Sequence, residues 1–390
     1  LLDLFGRGQL VEALAITEQL LHSFPLSAAL FNVQGAIHAG LSHVDEAVDS
    51  YLQATIINPD FAEAYNNMGV VLSENGDYGE AIDSYRKAYE IKPDFAEAYY
   101  GVGVARHENG DLDGAIGSYR RALEVAPEYA EASNNLAVVL GEKGDFIEAL
   151  NSYRNAIKIK PNFAAAHYGL GIALQEIGDL DGALQSYGLA LKLTPDNAKI
   201  YNSIGNTLEE KGDLAGAIDS FERAVDIKPD YPEALNNLGI ALHEMGDFHG
   251  AVERYRRAIN FRPDFRYAWD NIFLSLKVLQ SQADSLDDQL PLLLNTSLPI
   301  SAHIQLTLLE YRLKRGEAIA DVLMDRSVNL MSTAQNMSIK SPQKISEKLE
   351  LRLNLPKKIV ALLHFGRSGT GLLHSLIEGH SQVSTLPSIY

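Results

Sequence analysis

Residues 62–95 read AEAYNNMGVVLSENGDYGEAIDSYRKAYEIKPDF, and this stretch decides the fold. From Ala62 to Asn75, apolar residues recur at helical spacing (Ala64, Met68, Val71, Leu72), so a first helix is expected there. Gly76 stands where a helix C-terminus needs a left-handed residue. Asp77, with Glu80 three residues on, is placed to cap a second helix that buries Ala81, Ile82, Tyr85 and Ala88. Pro93 ends that helix near Lys92, because proline disfavours helical geometry in the residue before it. Asp94 and Glu97 form the next expected capping pair. Gly69 and Ala81 are small enough to let neighbouring helices approach, and Tyr85 fills the space between units.

The same stretch repeats along the chain. Proline falls at 25, 59, 93, 127, 161, 195, 229 and 263, an interval of 34 each time. Alanine keeps that interval from Ala13 to Ala251, and Gly-Asp recurs from Gly76-Asp77 to Gly246-Asp247. Three registers locked to one period cannot arise by chance. The unit resembles the tetratricopeptide repeat, a 34-residue helix–turn–helix module. Seven full units run from Ala28 to Phe265, after a partial unit. One further helix is expected from Arg266 to about Leu279, where Phe273 replaces the small residue and no Gly-Asp follows. The expected organisation is a repeat array over 1–280, a helical connector over 281–356 and the start of another domain over 357–390.

Composition narrows the function classes. Of 390 residues, 46% are hydrophobic and 22% charged, which excludes a disordered chain. No apolar run approaches the length of a spanning helix. Cysteine is absent, so there is no disulfide framework, no Cys-ligated zinc and no thiol chemistry. That suits a reducing compartment, and the expected location is the cytoplasm. The net charge of −18 is carried by residues 28–265, which hold 37 acidic and 19 basic side chains. A body this acidic repels a phosphate backbone, so no nucleic-acid partner is expected. The chain begins at Leu1 and stops at Tyr390, and it reads as a fragment open at both ends.

The resemblance implies a superhelix whose first helices line a concave groove that takes a protein or peptide. Glu74, Glu108, Glu142, Glu176, Glu210 and Glu244 recur at one first-helix position. Family members that clamp a partner's C-terminal carboxylate carry a base there, so the six glutamates argue against that ligand. Asparagine pairs occur at Asn66-Asn67, Asn134-Asn135 and Asn236-Asn237, joined by Asn32, Asn202 and Asn271. They resemble the asparagine-rich groove of O-linked N-acetylglucosamine transferases, where amides hold a peptide backbone. Asn67, Asn135, Asn202 and Asn237 are therefore the candidate partner contacts, with the glutamates beside them. The other reading of both rows is a solvated helix face.

The remaining chemistry lies at the C-terminal end. Lys357-Lys358 precede the apolar run Ile359 to Phe365, which reads as a buried strand, and Gly366-Arg367-Ser368-Gly369-Thr370-Gly371 then leads into a helix at Leu372-Leu373. Strand, glycine loop and helix N-terminus make an anion cradle. The spacing is that of a nucleotide P-loop, but Leu372-Leu373 replaces the Lys-Ser/Thr that binds phosphate and magnesium. Arg367, Ser368, Gly369, Thr370, Leu372 and Leu373 instead resemble the donor loop of sulfotransferases, with Gly366 and Gly371 departing from the family pattern. The resemblance implies 3′-phosphoadenosine 5′-phosphosulfate (PAPS) as donor and no metal. Arg367 would stabilise charge on the transferring sulfuryl group, and the amides of Ser368 to Gly371 with the Thr370 hydroxyl would hold the 5′-phosphate. The general base and the 3′-phosphate site would lie beyond Tyr390, so the fragment itself is expected to be inactive. The first reading is thus a repeat array recruiting an acceptor or partner for a fused sulfotransferase. Its rivals are a non-catalytic scaffold or adaptor and, less favoured, an O-linked N-acetylglucosamine transferase-like repeat region.

Overall fold

A computed structural model describes Leu4 and residues 7–281. Among the described residues there are sixteen α-helices and no strand. They are α1 (Leu10–Ser23), α2 (Ala28–Gly40), α3 (Val44–Ile57), α4 (Ala62–Asn75), α5 (Tyr78–Ile91), α6 (Ala96–Glu108), α7 (Leu112–Val125) and α8 (Ala130–Glu142). There follow α9 (Phe146–Ile159), α10 (Ala164–Glu176), α11 (Leu180–Leu193), α12 (Ala198–Glu210), α13 (Leu214–Ile227), α14 (Pro232–Glu244), α15 (Phe248–Phe261) and α16 (Arg266–Ser281). The connector expected over 281–356, the strand and loop of 357–390 and the sulfotransferase residues Arg367 to Leu372 lie outside the described residues. The chain divides into two compact units, Leu1–Thr207 and Leu208–Tyr390.

Each hairpin is made by local chemistry. Helix α4 ends at Gly76, whose φ of 92° is the left-handed conformation that only a residue without Cβ adopts freely. Glycine takes the equivalent place in every later hairpin, whereas in the first hairpin Ser42 does so at φ 61°. The capping expected at Asp77 does not form: its carboxylate accepts from Asn75 Nδ2 at 2.6 Å and makes no cap bond to the backbone. Asp94 is not a cap either, because the residue at the N-cap of α6 is Phe95. Asp111, Asp179, Asp213 and Asp247 do cap, each accepting from the backbone N–H three residues on at 2.9–3.0 Å. The reason is the third residue. A Cβ at Gly114 would overlap the Asp111 carboxylate, and the other three caps also face a glycine. Asp77 and Asp145, which make no cap bond, have Glu80 and Glu148 at that position.

Consecutive helices pack through one alanine–tyrosine seam. In the first unit Ala81, Tyr85 and Ala88 of α5 are buried, as are Ala115, Tyr119 and Ala122 of α7. Tyr85 lies against Gly69 of its own hairpin, where a Cβ would fall 2.8 Å from the ring. A core of Leu136, Val139, Leu140, Tyr153, Tyr187 and Ile200 continues the seam. Each large side chain fully buried there contributes roughly 1.5–3 kcal/mol. In the second unit Phe221, Leu238 and Ala241 pack together, and Tyr255 is buried. No helix among the described residues is long and apolar enough to cross a membrane.

Candidate protein-interaction face of the first helices

The asparagines of the first helices build a ladder between hairpins. Asn67 Nδ2 donates to Asn32 Oδ1 at 3.1 Å, Asn135 Nδ2 donates to the Tyr100 hydroxyl at 3.0 Å, and the Tyr168 hydroxyl meets Ser203 Oγ at 3.1 Å. In the second unit Asn271 Nδ2 donates to Asn236 Oδ1 at 3.0 Å. Partners are always 35 residues apart, one more than the repeat. Asn67 and Asn135 are half-buried, and Asn135 Oδ1 also accepts from Asn134 Nδ2 at 3.1 Å. Asn202 is buried and Asn237 half-buried. Asn67 and Asn135 therefore fix one first helix to the next, and an amide's further donor and acceptor sites are what a ligand would meet.

Between the rungs, glycine takes the partner's place. Gly101 stands 35 residues after Asn66, and Gly169 stands 35 after Asn134. There the Tyr85 and Tyr153 rings fill the junction. Asn66 Oδ1 and Asn134 Oδ1 are buried without a hydrogen-bond partner. Rung junctions and tyrosine–glycine junctions thus alternate along the first unit. The sequence signal was visible as Tyr100-Gly101 and Tyr168-Gly169 interleaved with the asparagine pairs, but it acquires meaning only with the 35-residue offset.

Four residues beyond Asn66, Tyr100, Asn134 and Tyr168 stand Val70, Val104, Val138 and Ile172, and four further on stand Glu74, Glu108, Glu142 and Glu176. Residues four apart share a helix face. In the first unit the face thus carries an amide and hydroxyl row, an apolar row and an acidic row. Val70 and Ile172 are each 40% exposed, and Val104 and Val138 between them are half-buried. All six glutamates of the row, including Glu210 and Glu244, are exposed. Glu142 Oε2 meets His107 Nε2 at 2.8 Å. Their field reaches the tyrosine seam. Burial, reinforced by Glu74, pushes the Tyr51 hydroxyl up to about 12, and burial with Glu142 does the same at Tyr153. Tyr85, Tyr119, Tyr187 and Tyr255 are raised further, chiefly by burial. No group of His, Asp and Glu among the described residues is arranged to hold a metal.

Repeated helix hairpins of constant length, sealed by alanine and tyrosine, define a helical repeat protein. A family model described as TPR repeat matches residues 42–76, 72–110, 103–144, 140–178, 176–212 and 205–246, and one described as tetratricopeptide repeat matches 233–262. The chain belongs to the tetratricopeptide repeat family. Among solved structures it is similar to YrrB, described as a TPR protein with an unusual peptide-binding site, at 26% identity over 48% of this chain and 97% of that one, with a TM-score of 0.43. It is similar to a chain of the APC/C hetero-tetramer Cut9–Hcn1 at 16% identity, covering 70% of this chain and 54% of that one, with a TM-score of 0.51. It is also similar to a tetratricopeptide repeat protein from Parabacteroides merdae, at 15% identity over 64% and 98% of the two chains, with a TM-score of 0.50. Likeness at such identities shows the shared fold. No curated protein matches the chain.

Proposed function

We propose that the array is a protein-interaction module that lays an extended peptide along the first-helix face. The observation that carries this reading is the apolar row Val70, Val104, Val138 and Ile172, exposed at its two ends and half-buried between them, with amides on one side and carboxylates on the other. Apolar side chains left open along a line favour a partner that covers them. In the first unit Asn67, Asn135 and Asn202 supply backbone hydrogen bonds to that peptide, Asn237 supplies them on the second unit, and the glutamates disfavour a partner with free carboxylates. Replacing Asn67, Asn135 and Asn237 together by Ala should weaken capture of the partner without changing helicity by circular dichroism. Unchanged capture would move binding to another surface.

The C-terminal loop carries a second reading, from its sequence. Arg367 to Leu372 follow an apolar run and match a sulfotransferase donor loop, so the array would bring an acceptor hydroxyl to a PAPS-dependent transferase. Arg367 would neutralise charge developing on the sulfuryl oxygens, and Ser368, Gly369, Thr370 and Gly371 would bind phosphate. In a chain that extends beyond Tyr390, Arg367→Ala should lower sulfate transfer by on the order of 10²–10³, as for other preorganised charge stabilisers. A fully active Arg367→Ala chain would remove the donor-site reading and leave the adaptor role.

A further inference from the structure

One hairpin lacks a cation that its neighbours hold. Just before the closing proline of four repeats stands a base lying over the aromatic ring that ends the repeat. Lys92 is 4.6 Å from the Phe95 centroid, Lys160 is 4.8 Å from Phe163, Lys228 is 5.3 Å from Tyr231 and Arg262 is 5.1 Å from Phe265. In three of these the second residue of the same repeat's first helix completes the pair. Lys92 Nζ reaches Glu63 at 3.5 Å, Lys160 Nζ reaches Glu131 at 2.9 Å, and Arg262 reaches Glu233 at 2.6 Å. A carboxylate and an aromatic face thus form a standard seat for an ammonium or guanidinium.

In the repeat over 96–129 the seat remains and the cation is gone. Glu97 takes the carboxylate place and Tyr129 the ring, but the base is replaced by Ala126. By contrast, in the repeat over 164–197 all three are absent together, as Ala165, Thr194 and Asn197. In the repeat over 96–129 a cleft of about 630 Å3 lies at this place, lined by Ala96, Glu97, Ala126, Pro127, Glu128 and Tyr129. Glu97 and Glu128 are exposed, and Glu97 makes no ion pair among the described residues. Burial, then Tyr100, Glu97 and Glu131, raise the Tyr129 hydroxyl.

We propose that this cleft receives a lysine or arginine side chain of the bound partner, which occupies the seat that Lys92 and Lys160 fill in the flanking repeats. The proposal rests on the reading of the array as a peptide binder, and it adds a basic side chain to the partner's description. Its position beside Ala96 puts it at the N-terminal end of a first helix, away from the asparagine rungs.

The probe is acetyl-Gly-Lys-Gly-amide, titrated into the full chain labelled at alanine methyl groups, with the norleucine peptide as an uncharged control of equal length. The lysine peptide should shift the Ala96 and Ala126 resonances saturably, at least about tenfold more tightly than the norleucine peptide. Ala126→Lys should abolish the Ala96 response by filling the seat from within, and Glu97→Gln should weaken it about tenfold. Equal responses to both peptides, no response to either, or an undiminished response in Ala126→Lys would overturn the proposal. The triple replacement of Asn67, Asn135 and Asn237 separates the two readings. A lysine response that survives it while partner capture is also unchanged leaves the cation seat standing and sinks the asparagine reading.

Discussion

A Cβ on Gly101 would lie 2.5 Å from both Cε1 and Cζ of Tyr85, so the ring and the helix of the next hairpin meet with no space between them. Tyr85 is 4% exposed and has nowhere to swing. Gly101→Ala should therefore destabilise the array by about 1–3 kcal/mol in urea denaturation. Gly117, exposed in the middle of α7 with nothing within 4 Å of an added Cβ, supplies the contrast. Gly117→Ala should stabilise by up to about 1 kcal/mol through helix propensity alone. Equal effects from the two would mean that the junction relaxes freely.

Ser42 holds a positive φ at the position where every later hairpin has glycine. A side chain in that conformation costs roughly 1–2 kcal/mol. Ser42→Gly should raise the midpoint of thermal unfolding, offset partly by the greater freedom of glycine in the unfolded chain. A fall in the midpoint would show that the serine is not strained.

The capping aspartates differ in a measurable way. Asp111→Ala removes the bond from Gly114 N–H at 2.9 Å and should cost about 1 kcal/mol. Asp77→Ala removes no cap bond and should cost only a few tenths. Equilibrium unfolding of the two variants side by side decides it, and equal losses would assign the cap energy to charge at the helix terminus.

The tyrosine seam makes the fold sensitive to base. Tyr51 and Tyr153 titrate near 12 in the folded chain, above the usual value of 10. Between those values the unfolded chain has released protons that the folded chain retains, so stability falls as pH rises. It is fully present below pH 10 and lost progressively up to about 12. Urea midpoints at pH 8, 10 and 11 should drop in that order, and Tyr51→Phe with Tyr153→Phe should lessen the decline only in part, because Tyr85, Tyr119, Tyr187 and Tyr255 are raised as well. Phe221, at the equivalent place in the second unit, shows that the seam accepts a ring without the hydroxyl.

The hairpin, its glycine stop and its alanine seam were legible in the sequence because each depends on residues within one 34-residue period. The caps were misread for a related reason. The capping box at Asp77 and Glu80 fits the sequence rule, but among the Gly-Asp aspartates the bond forms only where the third residue is glycine. At the candidate face, the asparagine pairs were visible but their division of labour was not. Stacking offsets neighbouring first helices by one residue, so position 67 meets 32, and Asn66 is the amide left unpartnered. Likewise the seat at Glu97 and Tyr129 becomes evident only when Lys92 and Lys160 are seen in place, since the residues concerned are separated by a whole hairpin.

Alternation of the junctions also gives the array a grain. Asn67 and Asn135 make rungs, whereas Gly101 and Gly169 receive tyrosine rings, so the matching pattern returns every 68 residues and not every 34. Excising the hairpin over 96–129 would set the Tyr85 ring against Asn135, the neighbour that Tyr119 has now, and would turn a ring junction into a rung junction. Excising 96–163 would set the same ring against Gly169, and the seam would close. Lengthening or shortening such a protein in steps of two hairpins therefore keeps the order of rung and ring junctions, whereas a step of one reverses it.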